Sequence, residues 1–371
     1  MNAARVNLLR LLCASAAIIL SAAALNFIVD PLQLFRPARL TPAAYSPDSR
    51  TQNAGLIRSQ QYDTVFMGTS LAIHFRQSDI DRILGVHSIK LTMTGSNSTE
   101  QSFVLAQALE KHPTRVIWQA DDWIFHDAPD IDSDIYLPAN LYRRNARGIA
   151  EYLFSGSMAR ESLWLLARSI APLQPVTSRL TNGVVFRFPL SDVDDINALP
   201  RNFDVAGTYN ARAASAAFRR ITDPAHSMYL AQDYDYDAMV RHFERDAIAL
   251  IEKHPDVMFD IYFTPYSILQ FVAMRDASPA TLKAVYDFSV YAGRRLTEYS
   301  NVRFFDFRAA KEVTHDLNNY SDVIHHSPAV DLKILHWLAA GAWRVTRDAP
   351  TAQLDQLKAQ VEAYRTDGLA R

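Results

Sequence analysis

Residues 63–70 read Asp-Thr-Val-Phe-Met-Gly-Thr-Ser, a short apolar run closed by two small hydroxylated residues behind a glycine. Four apolar or β-branched residues in a row predict a buried strand, and the glycine marks the turn that ends it. Working outward, residues 70–84 predict a turn or helix with Ile73, Ile80, Ile83 and Leu84 on one face. Residues 88–95 (SIKLTMTG) read as a second strand ending in glycine. Ser98-Thr-Glu-Gln101 has capping-box form ahead of an apolar helical run at 103–109, and residues 115–120 (RVIWQA) read as a third strand. Strand, helix, strand, helix, strand in so short a span predicts a parallel sheet with right-handed crossovers, and hence an α/β fold.

The rhythm breaks between about 125 and 235. Acidic clusters (Asp127 to Asp134, Asp192 to Asp195), prolines and one apolar helix near 149–170 give this stretch the look of a long insertion. It resumes with a helix over 236–254, a strand over 257–263 ending in Thr264-Pro265, a helix near 279–298 and a strand over 301–307. A loop containing Asp322-Val-Ile-His325 follows, then a final apolar helix over 329–345 and a polar, helical tail over 351–371. There is no internal repeat. Residues 31–61, rich in Pro, Arg, Ser and Gln, read as a tether to an α/β domain spanning 62–350.

The chain has 371 residues, 49% of them apolar, enough for a large core. Its 38 basic and 40 acidic residues nearly cancel, so it lacks the electrostatic footprint of a nucleic-acid binder. The single cysteine, Cys13, rules out an intrachain disulfide and a cysteine-based metal site. Residues 11–29 carry no charge, and at roughly 1.5 Å per residue they extend about 28 Å, close to a bilayer's hydrocarbon thickness. Arg5 and Arg10 precede this run and Asp30-Pro31 follow it, which predicts a single-pass inner-membrane anchor with the globular part in the periplasm. Ala22-Ala23-Ala24 would suit a cleaved signal peptide, but the apolar run continues through Phe27-Ile28-Val29.

In an open parallel sheet, ligands bind beyond the carboxyl ends of the strands. Ser70 follows the first strand, Gly95 ends the second, Asp121 and Asp122 end the third, and the loop of Asp322 and His325 follows the last. The convergence of a serine, a histidine and an aspartate is that of a nucleophile, its base and an orienting carboxylate. Trp123 and Tyr266 lie past strand ends, where they could stack on a sugar ring. His326 is a further residue for the substrate side. His315, His325 and His326 show neither helical His-x-x-x-His spacing nor a nearby carboxylate pattern, so no metal is expected.

The order and spacing of Gly68-Thr69-Ser70 and Asp322-Val323-Ile324-His325 resemble the SGNH (GDSL-like) hydrolase superfamily. The context Tyr320-Ser321-Asp322 to Ser327-Pro328 is similar to its membrane-anchored members that serve polysaccharide O-acetylation or D-alanine transfer. The resemblance covers about 62–124 and 236–345. It implies a flavodoxin-like three-layer sandwich around a parallel sheet, and a Ser70-His325-Asp322 triad that needs no cofactor. It also implies an oxyanion held by the backbone N–H groups of Ser70 and Gly95, the latter permitting close approach because it lacks a side chain. The family's third donor, an asparagine after strand three, is replaced here by Asp121 or Asp122, which when ionised accept hydrogen bonds and repel an oxyanion. Asn97 is the substitute donor, and Asp121, Asp122, Trp123, Tyr266 and His326 are substrate-binding candidates. The implied substrate is an acyl ester of an envelope polysaccharide or related glycan, with a membrane acyl-donor protein as a partner. The alternative is a catalytically weak, glycan-binding or scaffold component of a polysaccharide modification or export machine.

Overall fold

The structure is a computed structural model that describes residues 3–41, 45–46, 48–126, 137–143, 145–170, 194, 207–223 and 234–369. The Asp127 to Asp134 cluster, and all of the Asp192 to Asp195 cluster except Asp194, lie outside the described residues. The chain divides into two compact units, residues 61–134 with 197–371 and residues 1–60 with 135–196.

The first unit is built on a six-stranded sheet: β1 (Thr64–Met67), β2 (Ser88–Lys90), β3 (Arg115–Gln119), β4 (Met258–Phe263), β5 (Val302–Asp306) and β6 (Arg344–Val345). The spatial order is β2-β1-β3-β4-β5-β6. The first five strands are parallel, and β6 runs antiparallel to β5. The strands are buried almost throughout, which is why they read as unbroken apolar runs rather than alternating ones. On one face Phe66, Ile117, Tyr262 and Phe305 pack against helices 77–84, 211–222, 268–277, 328–340 and 352–363. On the other, the buried Trp118 donates its indole N–H to Gln101 of helix Ser98–Leu109 (2.6 Å).

Several elements depart from the sequence reading. The capping box belongs to Asn97 and Glu100, because the Ser98 hydroxyl is taken by the buried Asp246 (2.6 Å), leaving Asn97 to accept from the Glu100 N–H. The helix expected over 236–254 contains a π-helical turn at Glu244–Ile248, and Asp246 lies within it. A helix at Ile268–Ala277 follows β4, unanticipated and buried on nearly every side. The last apolar helix ends at Ala340, where Gly341 takes a left-handed φ of 67°, and the chain turns back as β6. The tail is helical over Ala352–Ala363, and Leu354, Leu357 and Val361 are buried in the core. Helix Ala211–Thr222, unanticipated in the stretch read as an insertion, belongs to the α/β unit.

The second unit begins with helix Ala3–Val29, which is long and apolar enough to span a membrane. Only Ala23, Asn26 and Val29 of it are buried. Asn26 donates to the carbonyls of Leu153 (2.9 Å) and Ser155 (3.1 Å) and accepts from Ser162 (3.0 Å), tying the helix end to helices Ala146–Leu153 and Gly156–Ile170. The expected tether holds a helix, Ser49–Ser59, in which Gln52 to Ile57 are buried. At Gly55 any Cβ would stand 1.6 Å from the Leu32 carbonyl oxygen, so only glycine fits.

Candidate active site

The turn after β1 is set by close contacts. A Cβ at Gly68 would lie 2.5 Å from the Ala72 Cβ and 2.6 Å from Gln119 Oε1, so glycine is required for packing. Gln119, the last residue of β3, accepts from the Thr69 N–H (2.9 Å) and hydroxyl (3.2 Å) and donates through its amide to Asp121. Asp121 in turn accepts from the Thr264 N–H (2.7 Å) and hydroxyl (2.9 Å) beyond β4. A chain of polar groups thus ties together the ends of three adjacent strands. From β2, the fully buried Lys90 donates to the carbonyls of Ile73 and Phe75 (both 2.9 Å), holding the segment that follows Ser70. Ser70 itself opens a 3₁₀ turn over Ser70–Ala72.

The loop after β5 is anchored to the turn after β4. Tyr320 donates its hydroxyl to the Pro265 carbonyl (2.6 Å), and the Ser267 N–H donates to the Val323 carbonyl (3.1 Å). Within the loop, Asp322 Oδ1 accepts from the backbone N–H of Ile324 (2.8 Å) and His325 (2.7 Å), while Oδ2 lies 2.6 Å from His325 Nδ1. Burial works against the charge on Asp322, but these hydrogen bonds, led by the one from His325, hold its carboxyl below the usual value. An ionised carboxylate can only accept, so His325 carries its proton on Nδ1 and presents the Nε2 lone pair. Ser70 Oγ stands 3.1 Å from that nitrogen. A hydroxyl, an imidazole and a carboxylate 255 and 252 residues downstream of it are therefore in series, within the reach that general-base activation requires.

Ser70, Asp322 and His325 line a cavity of about 430 Å³ together with Asp122, Trp123 and Tyr266, and with residues the sequence reading did not single out, among them Arg220, Tyr234, Gln270 and Met274. Asp122 is 2% exposed, with its Oδ1 3.5 Å from the buried Arg308. Burial pushes its carboxyl up to about 7, against the attraction of Arg308 and with a further push from Asp121.

Four expected site residues lie elsewhere. Asp121 is fully buried and its oxygens are engaged by Gln119 and Thr264, so it is a clasp between strand ends and not a substrate ligand. His326 is 1% exposed, 3.1 Å from Asp331 and edge-on to Phe75, also outside the cavity lining. Gly95 is exposed and no atom would meet a Cβ there; its φ of 62° explains the glycine, rather than close approach. Asn97 spends its side-chain oxygen on the helix cap, and neither it nor Gly95 lines the cavity. Among the described residues no cluster of three or more His, Cys, Asp or Glu is placed to hold a metal.

The residues missed did leave signals. Gln119 closes an otherwise apolar strand, and Lys90 interrupts one. Each is a polar side chain that a buried strand keeps only if it has a partner. No protein-family model matches the chain, and no curated protein matches it.

Proposed function

We propose that the protein is a membrane-anchored SGNH-type acyl esterase or acyltransferase acting through Ser70, His325 and Asp322. The observation that carries this reading is the 3.1 Å approach of Ser70 Oγ to His325 Nε2 with Asp322 2.6 Å from the other ring nitrogen, at the wall of a cavity. Ser70 Oγ attacks the acyl carbon while His325 takes its proton. Collapse of the tetrahedral intermediate breaks the bond to the leaving oxygen, which receives that proton from His325. Water or a second hydroxyl, deprotonated by His325, then attacks the acyl-serine and frees Ser70. Asp322 holds the imidazole tautomer and balances the imidazolium formed in each half. The Ser70 backbone N–H serves in this reading as the oxyanion donor.

The strand order 2-1-3-4-5 supports the flavodoxin-like reading, and of the stretch 125–235 residues 135–196 are the part that leaves the α/β unit. The apolar, largely exposed helix Ala3–Val29 supports anchorage in the inner membrane with the catalytic unit in the periplasm. The resemblance of the two motif blocks supports an envelope glycan ester as substrate and a membrane acyl-donor protein as partner. Turnover of acetyl esters by the detergent-solubilised full chain tests the reading. Ser70→Ala is expected to lower kcat by roughly 10³-fold or more, and equal rates in wild type and variant would exclude Ser70 as the nucleophile.

A further inference from the structure

We propose that Asp122, with Trp123, reads a hydroxyl group of the substrate and makes the Ser70 cavity selective for esters of polyols over esters of simple alcohols. The inference rests on Ser70 being the nucleophile, and it turns on how the buried acids around the site are supplied. Asp121 receives Gln119 and both donors of Thr264. Asp306 is held by the Arg308 guanidinium at 2.8 and 2.7 Å and by its backbone N–H at 3.2 Å. Asp322 has His325 and two backbone N–H groups.

Asp122 alone among these four has a buried oxygen, Oδ1, with no hydrogen-bond donor among the described residues. Its nearest cation, Arg308, is 3.5 Å away and committed to Asp306 and to Ser289 (3.0 Å). Leaving such an oxygen unmet is costly, and a fold keeps one chiefly where something else supplies the donor. Asp122 lines the cavity of Ser70, so the substrate is the group that can supply it.

The next residue narrows the chemistry. Trp123 lines the same cavity, and its indole N–H is buried without an acceptor among the described residues. Consecutive residues thus hold an unmet acceptor and an unmet donor. A hydroxyl suits either atom, because it donates and accepts, whereas an ammonium suits only Asp122 and a carboxylate only Trp123. Arg220, also on the cavity wall, disfavours a cationic substrate further. Trp123, Tyr234 and Tyr266 bring aromatic surface to the same cavity, of the kind that packs against the C–H side of a hydroxylated ring.

The test compares kcat/KM of the full chain for two esters with the same acyl group and ring size, a monoacetylated methyl xyloside and cyclohexyl acetate. Wild type is expected to favour the sugar ester by roughly 10- to 100-fold, the range for a hydrogen bond to a charged group. In Asp122→Ala the preference is expected to fall close to one, and in Asp122→Asn, which keeps an acceptor oxygen, to an intermediate value. Thermal melting checks that each variant folds, and Asp122→Asn carries the test if the alanine variant does not. A fluorophosphonate probe applied to the same preparations separates the two claims. Labelling of Ser70 with no sugar preference in wild type, or with the preference intact in the folded variants, overturns the role of Asp122 alone. Absence of both labelling and turnover overturns the nucleophile reading and this proposal together.

Discussion

Two doublets of identical residues, Asp121-Asp122 at the end of β3 and His325-His326 in the loop after β5, each send one member to the cavity and the other to the interior. At β3 the first residue is the interior one, a clasp held by Gln119 and Thr264, and the second lines the cavity of Ser70. In the loop the order is reversed: His325 reaches Ser70 and His326 sits beside Asp331 against Phe75. The same side chain does different chemistry according to which partners the backbone brings to it. Between the two aspartates the difference is satisfaction: Asp121 has donors on both oxygens, whereas Asp122 keeps an oxygen without one among the described residues.

The largest contrast is expected between the histidines. His325→Ala removes the only imidazole that contacts Ser70 among the described residues, and turnover should fall by roughly 10³-fold or more, whereas His326→Gln should act on thermal stability rather than kcat. Steady-state kinetics and melting curves of both variants measure it, and equal losses of kcat would erase the distinction between the two histidines. Next come the aspartates. Asp121→Ala strips the acceptor from Gln119 and Thr264 at three strand ends, and a loss of about 2–4 kcal/mol in denaturant unfolding is expected. A loss under about 0.5 kcal/mol, the size of an ordinary surface change, would contradict the clasp.

The smallest effect is a pH dependence. The Asp122 carboxyl ionises near 3.8 in the unfolded chain and is pushed up to about 7 in the folded one, chiefly by burial. Between those values the folded protein holds a proton that the unfolded chain has released, so this group lowers stability as pH rises across the window, and the loss is complete above about 7. Asp122→Asn removes the ionisation. Its stability relative to wild type should therefore improve from pH 5 to pH 8, by at most about 3 kcal/mol at 1.36 kcal/mol per unit. Parallel pH profiles for the two proteins would show that Asp122 does not titrate in this range.

The sequence made β1, β3, β4 and β5 legible because strands buried on both faces keep unbroken apolar runs of strand length. Ser70, Asp322 and His325 were legible as a set because Ser70 falls just past β1 and the other two lie in the segment that follows β5. Helix 268–277 escaped because, with seven consecutive buried residues from Ile268 to Met274, it has no polar face to set a period. Helix 49–59 escaped for the opposite reason, a polar sequence inside a proline-rich stretch. The cap at Asn97 was displaced by one residue because Asn97 and Ser98 are equally good caps by type. Asp246, 148 positions away, decides between them by engaging Ser98. The split within each doublet was illegible for the same reason, since it depends on Thr264, Gln119 and Asp331, which meet their partners only in three dimensions.

Mapping the covalent adduct of a fluorophosphonate probe on the full-length protein tests the central claim most directly. A single modified peptide carrying the adduct on Ser70, lost in His325→Ala, is the predicted result. An unmodified Ser70 in folded protein, or labelling indifferent to His325, would contradict the triad.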